Sequence, residues 1–470
     1  MLDVQSYTIA AEWFPRLLGL IYFFTFTSLS LQITGLIGEN GILPITAYLK
    51  NVYARFGKQG YLLVPTLFWF NSSNRALMAV TITGAAVSLV LLAGWHPAVM
   101  LFLLYFLYLS IVTAGQEFLS FGWETFILEI TLNAFLLSLT TVPNIMVWIS
   151  LNFLLFRFHI QAGAVKLQSR DVNWRNYSAI AFHYTTQPLP NTIAWYIAKL
   201  PLWTHQASCA MMFFCELGVP FGIFFGETIR LITFVGLFGL QFFIWATGNL
   251  SFLNHMTVVL CVILLNNQVL EAIGLTAPIA EAAPLWLDVS LSIAGAALLT
   301  LQALRLCYHF FNFPIFGKIF APLEPFHLVN RYGLFAIMTT KRYEIVVEGS
   351  MDGHEWKEYL FKYKPTELDY RPRRVSPHQP RLDWQMWFLP FSQFGKERWF
   401  TSFVGHLLQG TPDVLKLLKH NPFPETPPLY IRALAYEYIF STFEEKKQHG
   451  LWWKRTPAGT YCQSISLKKN

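Results

Sequence analysis

Charged side chains are what this sequence has least of. They make up 13% of its 470 residues while hydrophobic residues make up 54%, and soluble domains carry roughly 25% charge. Most of its surface therefore cannot face water, which excludes a wholly soluble protein. Cysteine is scarce as well. Cys209, Cys215, Cys261 and Cys307 fall in apolar segments and Cys462 stands alone near the end, so no disulfide can brace the C-terminal part. The lack of a CxxC pair argues against dithiol exchange. There is no GxSxG elbow, no HExxH helix, and no Walker or dinucleotide glycine loop. No His or Cys pair has metal-ligand spacing, and neither a cofactor, a metal nor a nucleic-acid partner is expected.

The few charges are unevenly shared. Residues 1–309 hold 12 Lys+Arg against 12 Asp+Glu and residues 310–470 hold 22 against 15, so the whole excess of +7 lies in the tail. This predicts a polytopic transmembrane domain over 1–309, with a long loop at about 162–207, and a C-terminal extramembrane domain over 310–470. A basic tail beside a bilayer can meet anionic headgroups, but here acids are interspersed and a solvated surface is the plainer reading. Arg371 to Arg374, reading RPRR, is the one dense spot.

With about 20 apolar residues needed per span, hydropathy places about nine helices: Leu17 to Leu36, Ala76 to Trp95, Pro97 to Thr113, Glu124 to Thr141, Ile145 to Gln161, Ser208 to Phe225, Ile229 to Ala246, Leu250 to Leu265 and Leu285 to Leu306. Tyr61 to Phe70 and Ala179 to Leu202 are short or broken by Pro188, Pro190 and Pro201, and read as interfacial or re-entrant. Asp3 and Glu12 precede the first span and no A-x-A site follows it, so it reads as a retained signal anchor. Lys50, Arg55, Lys58, Arg75, Lys166, Arg170, Arg175 and Lys199 lie on the side of the tail, which the positive-inside rule makes cytoplasmic. Sequons at Asn71, Asn176 and Asn249 on the same side would make it luminal.

Charges at membrane depth cost about 2.5–3.5 kcal/mol each on insertion scales. Glu124, Glu129, Arg157 and Glu216 sit in or at the ends of predicted spans, and Arg157 is the natural counter-charge for one of the carboxylates, since buried ions are kept in pairs. The functional alternative is an embedded acid/base site with Lys166 as a desolvated base, His159 or His183 as proton shuttle and Glu129 beside them.

In the tail, Tyr332 to Thr340 and Arg342 to Glu348 are rich in aromatic and β-branched residues. Arg342, Glu344, Val346 and Glu348 alternate with Tyr343, Ile345, Val347 and Gly349, the period of a strand with one wet face. Ser350-Met351-Asp352-Gly353 offers tight-turn chemistry, so Asp352, Gly353 and Trp356 shape a hairpin returning over Trp356 to Lys364. The pattern is similar to that of discoidin-type β-sandwich modules. Helices near Gln393 to Leu408 and Asp413 to Lys419, then strands near Tyr430 to Ile439 and Gly459 to Ser466, give a β-rich α+β domain. In His378 to Trp387, HQPRLDWQMW, residues Arg381, Trp384 and Trp387 have the composition of an interface hot spot, with burial in the domain core as the alternative.

Several longer motifs carry a resemblance. FLSFGWETFILE (Phe118 to Glu129), the run from Leu154 to Tyr196 that ends QPLPNTIAWY, ELGVPF (Glu216 to Phe221) and ATGNLSFLN (Ala246 to Asn254) stand with NRYGLFAIMTT, EIVVEGSMDGHEW, FKYKP, SPHQPRLDWQMWF and NPFP in the tail. Together, from about Leu17 to Tyr461, they resemble the lipase maturation factor family. The resemblance implies a multi-pass endoplasmic reticulum membrane protein, with the long loop and C-terminal domain luminal, that assists secreted homodimeric lipases to their active assembled form. Arg381, Trp384 and Trp387 are then the client-contact candidates. The chain is shorter than animal members and its end, SLKKN, carries neither KDEL nor a KKxx signal; a bacterial member would use the inner membrane. Two alternatives stand beside it: an embedded enzyme, since the bundle is also similar to the membrane domain of vitamin K-dependent carboxylase-like proteins, and a transporter, whose inverted repeats are not visible here.

Overall fold

Among the described residues, seven helices are long and apolar enough to cross a bilayer: Val4–Ser30, Asn74–Leu92, Pro97–Ala114, Ile145–Gln168, Leu202–Phe224, Glu227–Thr247 and Leu285–Phe311. The computed structural model describes residues 3–311 and 313–467, so Lys468 and Lys469 of the terminal SLKKN lie outside the described residues. The nine spans read from hydropathy thus reduce to seven. Gly122–Leu137 has only 16 residues, about 24 Å of helix, and Leu253–Cys261 has 9. Both are largely buried within the bundle, where protein rather than lipid surrounds them and hydrocarbon thickness sets no length. Hydropathy alone cannot tell such a core helix from a span.

Local chemistry sets where the helices begin. Ser73 Oγ accepts from Ala76 N, and Asn144 Oδ1 accepts from the backbone of Met146 and Val147, each filling donors a helix N-terminus leaves open. Asn144 also donates to Asp288 Oδ1 at 2.7 Å and Ser292 Oγ at 2.9 Å, tying the Ile145–Gln168 helix to the last span. Residues 162–207 are not an open loop: the fifth of the nine predicted spans runs on to Gln168, and short helices follow at Val172–Arg175, Ala179–Thr186 and Thr192–Ile197.

The tail carries one four-stranded antiparallel sheet, β1 (Arg342–Ser350), β2 (Lys357–Glu358), β3 (Tyr430–Phe440) and β4 (Trp453–Ile465), in the order β2-β1-β3-β4. Among the described residues there is no second sheet, so the sandwich resemblance does not hold. Ile345, Val347, Ile431 and Ala433 join the core with Phe400, Phe403 and Leu407 of the Arg398–Gln409 helix. The second predicted helix shortens to Pro412–Leu415.

Two strand expectations fail by competition for hydrogen-bonding groups, and a third, the wet face of β1, fails by burial. Residues 332–340 form no strand, because their polar groups serve the bundle: Phe335 O accepts from Trp174 Nε1 and Met338 N donates to Asp171 Oδ2. The returning strand is only two residues long, since the Asp383 carboxylate takes the N–H groups of Tyr363 and Lys364. The charged face of β1 is not wet. Arg342, Glu344 and Glu348 are buried; Glu344 lies 2.5 Å from Arg342 and 2.9 Å from Lys364, while Arg342 donates to the carbonyls of Thr185, Gln187 and Pro188.

The turn after β1 follows its composition. Asp352 Oδ1 accepts from His354 N and Glu355 N and lies 3.0 Å from Ser350 Oγ, and these donors hold its carboxyl low, at about 2. Gly353 sits at φ +78°, where a side chain would be strained. Trp356 Nε1 donates to Gly353 O, and the Arg432 guanidinium covers its ring at 4.1 Å.

Candidate functional site

SPHQPRLDWQMWF enters the mouth of the bundle instead of lying on the surface. Ser376 Oγ donates to Ser251 O. His378 Nδ1 meets Ser28 Oγ at 2.8 Å, and Gln32 bridges Gln379 O and Arg381 N. The Arg381–Met386 helix that follows is wholly buried. Its Arg381 guanidinium reaches Glu124 Oε1 at 2.6 Å and Phe118 O at 2.8 Å. Glu124 also accepts from Trp123 Nε1 at 3.0 Å and from the Tyr108 hydroxyl. Trp384 packs edge-on against Trp123 and Phe121, with ring centroids 5.0 and 5.7 Å apart. The tail motif and FLSFGWETF thus form one charged, aromatic joint.

Other motif pairs meet at the same junction. Glu129, in the Gly122–Leu137 helix, accepts from Arg157, Asn330 N at 2.8 Å, Asn330 Nδ2 at 3.1 Å and the Tyr332 hydroxyl at 2.5 Å. Arg157 also donates to Asn330 O, so NRYG completes a bundle ion pair. Asn249 of ATGNLSFLN donates to Leu189 O and Arg373 O and accepts from Val375 N and Ser376 N. It is buried, so this sequon cannot take a glycan, while Asn71 and Asn176 are exposed. Gly35 lies so close to the tail that an added Cβ would stand 2.4 Å from Asp413 O; only a residue without a side chain permits that approach.

The client-contact candidates are corrected by burial. Arg381 is 1% and Trp384 3% exposed, the one paired with Glu124 and the other packed on Trp123 and Phe121, so neither can reach a partner. Trp387 is half-buried: its Nε1 donates to Thr186 O at 2.7 Å while its ring meets Phe388 and Phe391 at 5.0 Å each. Those two are 38% and 57% exposed, and with Trp387 they form an aromatic ridge at the edge of the joint. The sequence reading singled out neither Phe388, which closes SPHQPRLDWQMWF, nor Phe391, three residues further on.

Lys166, His159 and Glu129 are not assembled into an acid/base centre. Lys166 Nζ donates to both Glu216 oxygens at 2.8 Å and to Ala162 O at 2.9 Å; three acceptors suit an ammonium, which has no free pair with which to take a proton. His159 Nδ1 faces Leu155 O, and Glu129 is committed to Arg157. Among the described residues no three His, Cys, Asp or Glu side chains are placed to hold a metal ion. The four intramembrane charges read from the sequence therefore sit as Glu129 with Arg157, Glu216 with Lys166, and Glu124 with Arg381 of the tail. Local spacing gives no signal for the last.

Asp383, in the tail half of the joint, offers a pH test. Burial pushes its carboxyl from an ordinary 3.8 up to about 6, against the two backbone N–H groups it accepts. A carboxyl raised on folding contributes stability below its unfolded value, and that contribution is lost as pH rises through the folded one. Asp383→Asn keeps an acceptor for Tyr363 N and Lys364 N but cannot ionise. Its melting temperature relative to wild type should rise between pH 4 and 7, by the equivalent of at most about 3 kcal/mol; a pH-independent difference would refute the assignment. His378, which lines the same 80 Å³ cavity, is lowered to about 4 by burial and stays neutral over most of that range.

Comparison with known proteins agrees with the two-part layout. Residues 9–272 match the lipase maturation factor transmembrane domain and residues 328–463 the lipase maturation factor C-terminal domain. The chain is 32% identical to lipase maturation factor 1 of Mus musculus over 96% of this chain and 86% of that protein. It is 32% identical to lipase maturation factor 2 of Xenopus laevis over 95% and 81%, and 31% identical to lipase maturation factor 2 of Homo sapiens over 98% and 84%. No solved structure matches. A multi-pass helical body, a sheet-bearing C-terminal part and these matches across both place this chain in the lipase maturation factor family.

Proposed function

We propose that this protein acts, without catalysis of its own, as a membrane-held maturation factor for secreted homodimeric lipases, in the endoplasmic reticulum with its C-terminal part luminal, or in the inner membrane of a bacterium. The observation that supports this most directly is the joint: motifs of the bundle and of the tail are spent on locking one to the other, which leaves the Trp387, Phe388 and Phe391 ridge rigidly held beside the membrane. A lipase subunit exposes apolar dimer surface until it pairs, and such patches drive aggregation. A rigid aromatic ridge is suited to cover that surface, because aromatic anchors lose little side-chain freedom. Tethering then raises the effective concentration of subunits for each other.

The test is the activity per secreted mass of a homodimeric lipase in cells lacking their own maturation factor. The full chain is expected to restore it and a Phe388→Ser, Phe391→Ser variant to lose most of it while remaining folded. A Lys166→Met, Glu216→Gln variant, which removes both partners and leaves no orphan charge, is expected to retain it. Undiminished activity of the ridge variant refutes the proposed contact, and loss of activity in a well-folded Lys166→Met, Glu216→Gln variant favours embedded chemistry.

A further inference from the structure

RPRR, the one dense basic spot of the tail, lines a cleft of about 440 Å³ together with Asn191, Thr192 and Ile193. The cleft is built rather than loose. Arg374 donates to Trp245 O at 2.6 Å and Ala246 O at 2.9 Å and covers the Trp245 ring at 4.0 Å, capping the last turn of the Glu227–Thr247 span where its carbonyls lack partners. Arg371 Nε donates to Thr192 Oγ1 at 2.9 Å, and Thr192 in turn donates to Pro372 O. Asn249 holds the backbone on both sides of Arg374. Among the described residues none of the three arginines is in an ion pair, and all three are exposed.

Position says what such a site meets. The cleft opens at the end of a membrane span, and from Trp245 a line of aromatic rings runs back along that helix: Phe242 at 5.7 Å, then Phe238 at 6.4 Å, then Phe234 at 5.7 Å. Phe242 and Phe238 are exposed, as is Ile193 on the cleft wall. Three arginines thus stand at the head of an apolar track. Guanidinium forks match phosphate oxygens, Trp marks the headgroup level, and an exposed ring stripe on a span faces acyl chains.

We propose that this cleft binds the phosphate of an anionic membrane phospholipid, with an acyl chain lying along Phe242 and Phe238. Free phosphate shares the charge chemistry but not the track, so the two sources can be separated. Purified full chain in detergent, titrated with phosphatidylglycerol and followed by native mass spectrometry, should retain one lipid per chain. An Arg371→Gln, Arg373→Gln variant, which leaves the Arg374 clamp intact, should bind it about thirtyfold more weakly, and phosphatidylcholine should bind wild type less well than phosphatidylglycerol. Phe238→Ala with Phe242→Ala should also weaken retention without touching an arginine, which decides the matter if the arginine variant does not fold. Equal retention by the variants overturns the site, and displacement of the lipid by inorganic phosphate at matched concentration overturns its membrane source. The readout does not involve a lipase, so it can fail or succeed independently of the maturation assay.

Discussion

Replacing Arg381 by methionine should destabilise the protein by about 3–5 kcal/mol, the usual consequence of leaving one member of a buried ion pair alone. Glu124 would keep the Trp123 indole and the Tyr108 hydroxyl but lose its only cation, since Arg381 is the one basic side chain in ion-pair contact with it among the described residues. Phe118 O would lose its donor as well. The double variant Arg381→Met, Glu124→Gln should recover much of the loss, because the charge that needed a partner is gone and methionine fills most of the arginine volume. A double-mutant cycle on the melting temperature of the detergent-solubilised protein measures this coupling. Additive effects of the two changes would mean that the pair does not hold the halves together. The lock also predicts where damage appears: in the Arg381→Met variant, hydrogen exchange should rise in residues 376–391 before it rises in the strands.

The second large effect is an asymmetry. Glu129→Ala should be worse than Arg157→Ala, although the two side chains form one ion pair. Without Arg157, Glu129 still accepts from Asn330 N, Asn330 Nδ2 and Tyr332. Without Glu129, a fully buried guanidinium keeps only Asn330 O, and two further donors, Asn330 N and the Tyr332 hydroxyl, lose their acceptor in the same step, while Asn330 Nδ2 keeps Thr125 O and His327 O. Removing one partner of a buried pair leaves an uncompensated charge, typically about 3–5 kcal/mol, and each orphaned neutral donor adds about 1–3 kcal/mol. Glu129→Gln should fall between, since the amide oxygen can still accept from Asn330 or Tyr332. Yield of monodisperse protein and melting temperature rank the three variants; equal losses for Glu129→Ala and Arg157→Ala would contradict the bond pattern. Both variants should loosen the backbone around Asn330 and Tyr332, which this carboxylate holds, at the start of the Tyr332 to Thr340 segment read as a strand from its aromatic content.

Local pattern carried much of the architecture. A low charge fraction and long apolar runs read directly as membrane helices because backbone groups in lipid must bond within a helix. The Asp352–Gly353 turn was legible because its chemistry lies within the adjacent residues Ser350 to Trp356. Periodicity misled where burial came from far along the chain. The alternation of Arg342, Glu344 and Glu348 is that of a half-wet strand, and nothing near it reveals that Lys364 and the carbonyls of residues 185–188 close over that face. The composition of HQPRLDWQMW fits a hot spot because hot spots and buried joints select the same side chains, arginine and tryptophan that bury area and fork to polar partners.

From the sequence alone come the membrane class, the positions of the long spans, the location of the basic excess and the motifs that resemble one family. Only the tertiary structure decided which charge pairs with which, that Arg381 and Trp384 face inward, and that RPRR walls a cleft at a span end. Helix and strand periods report neighbours three, four or two residues apart, whereas Glu124 and Arg381 are separated by 257 positions. Their meeting is set by how the bundle mouth and the tail fold around each other.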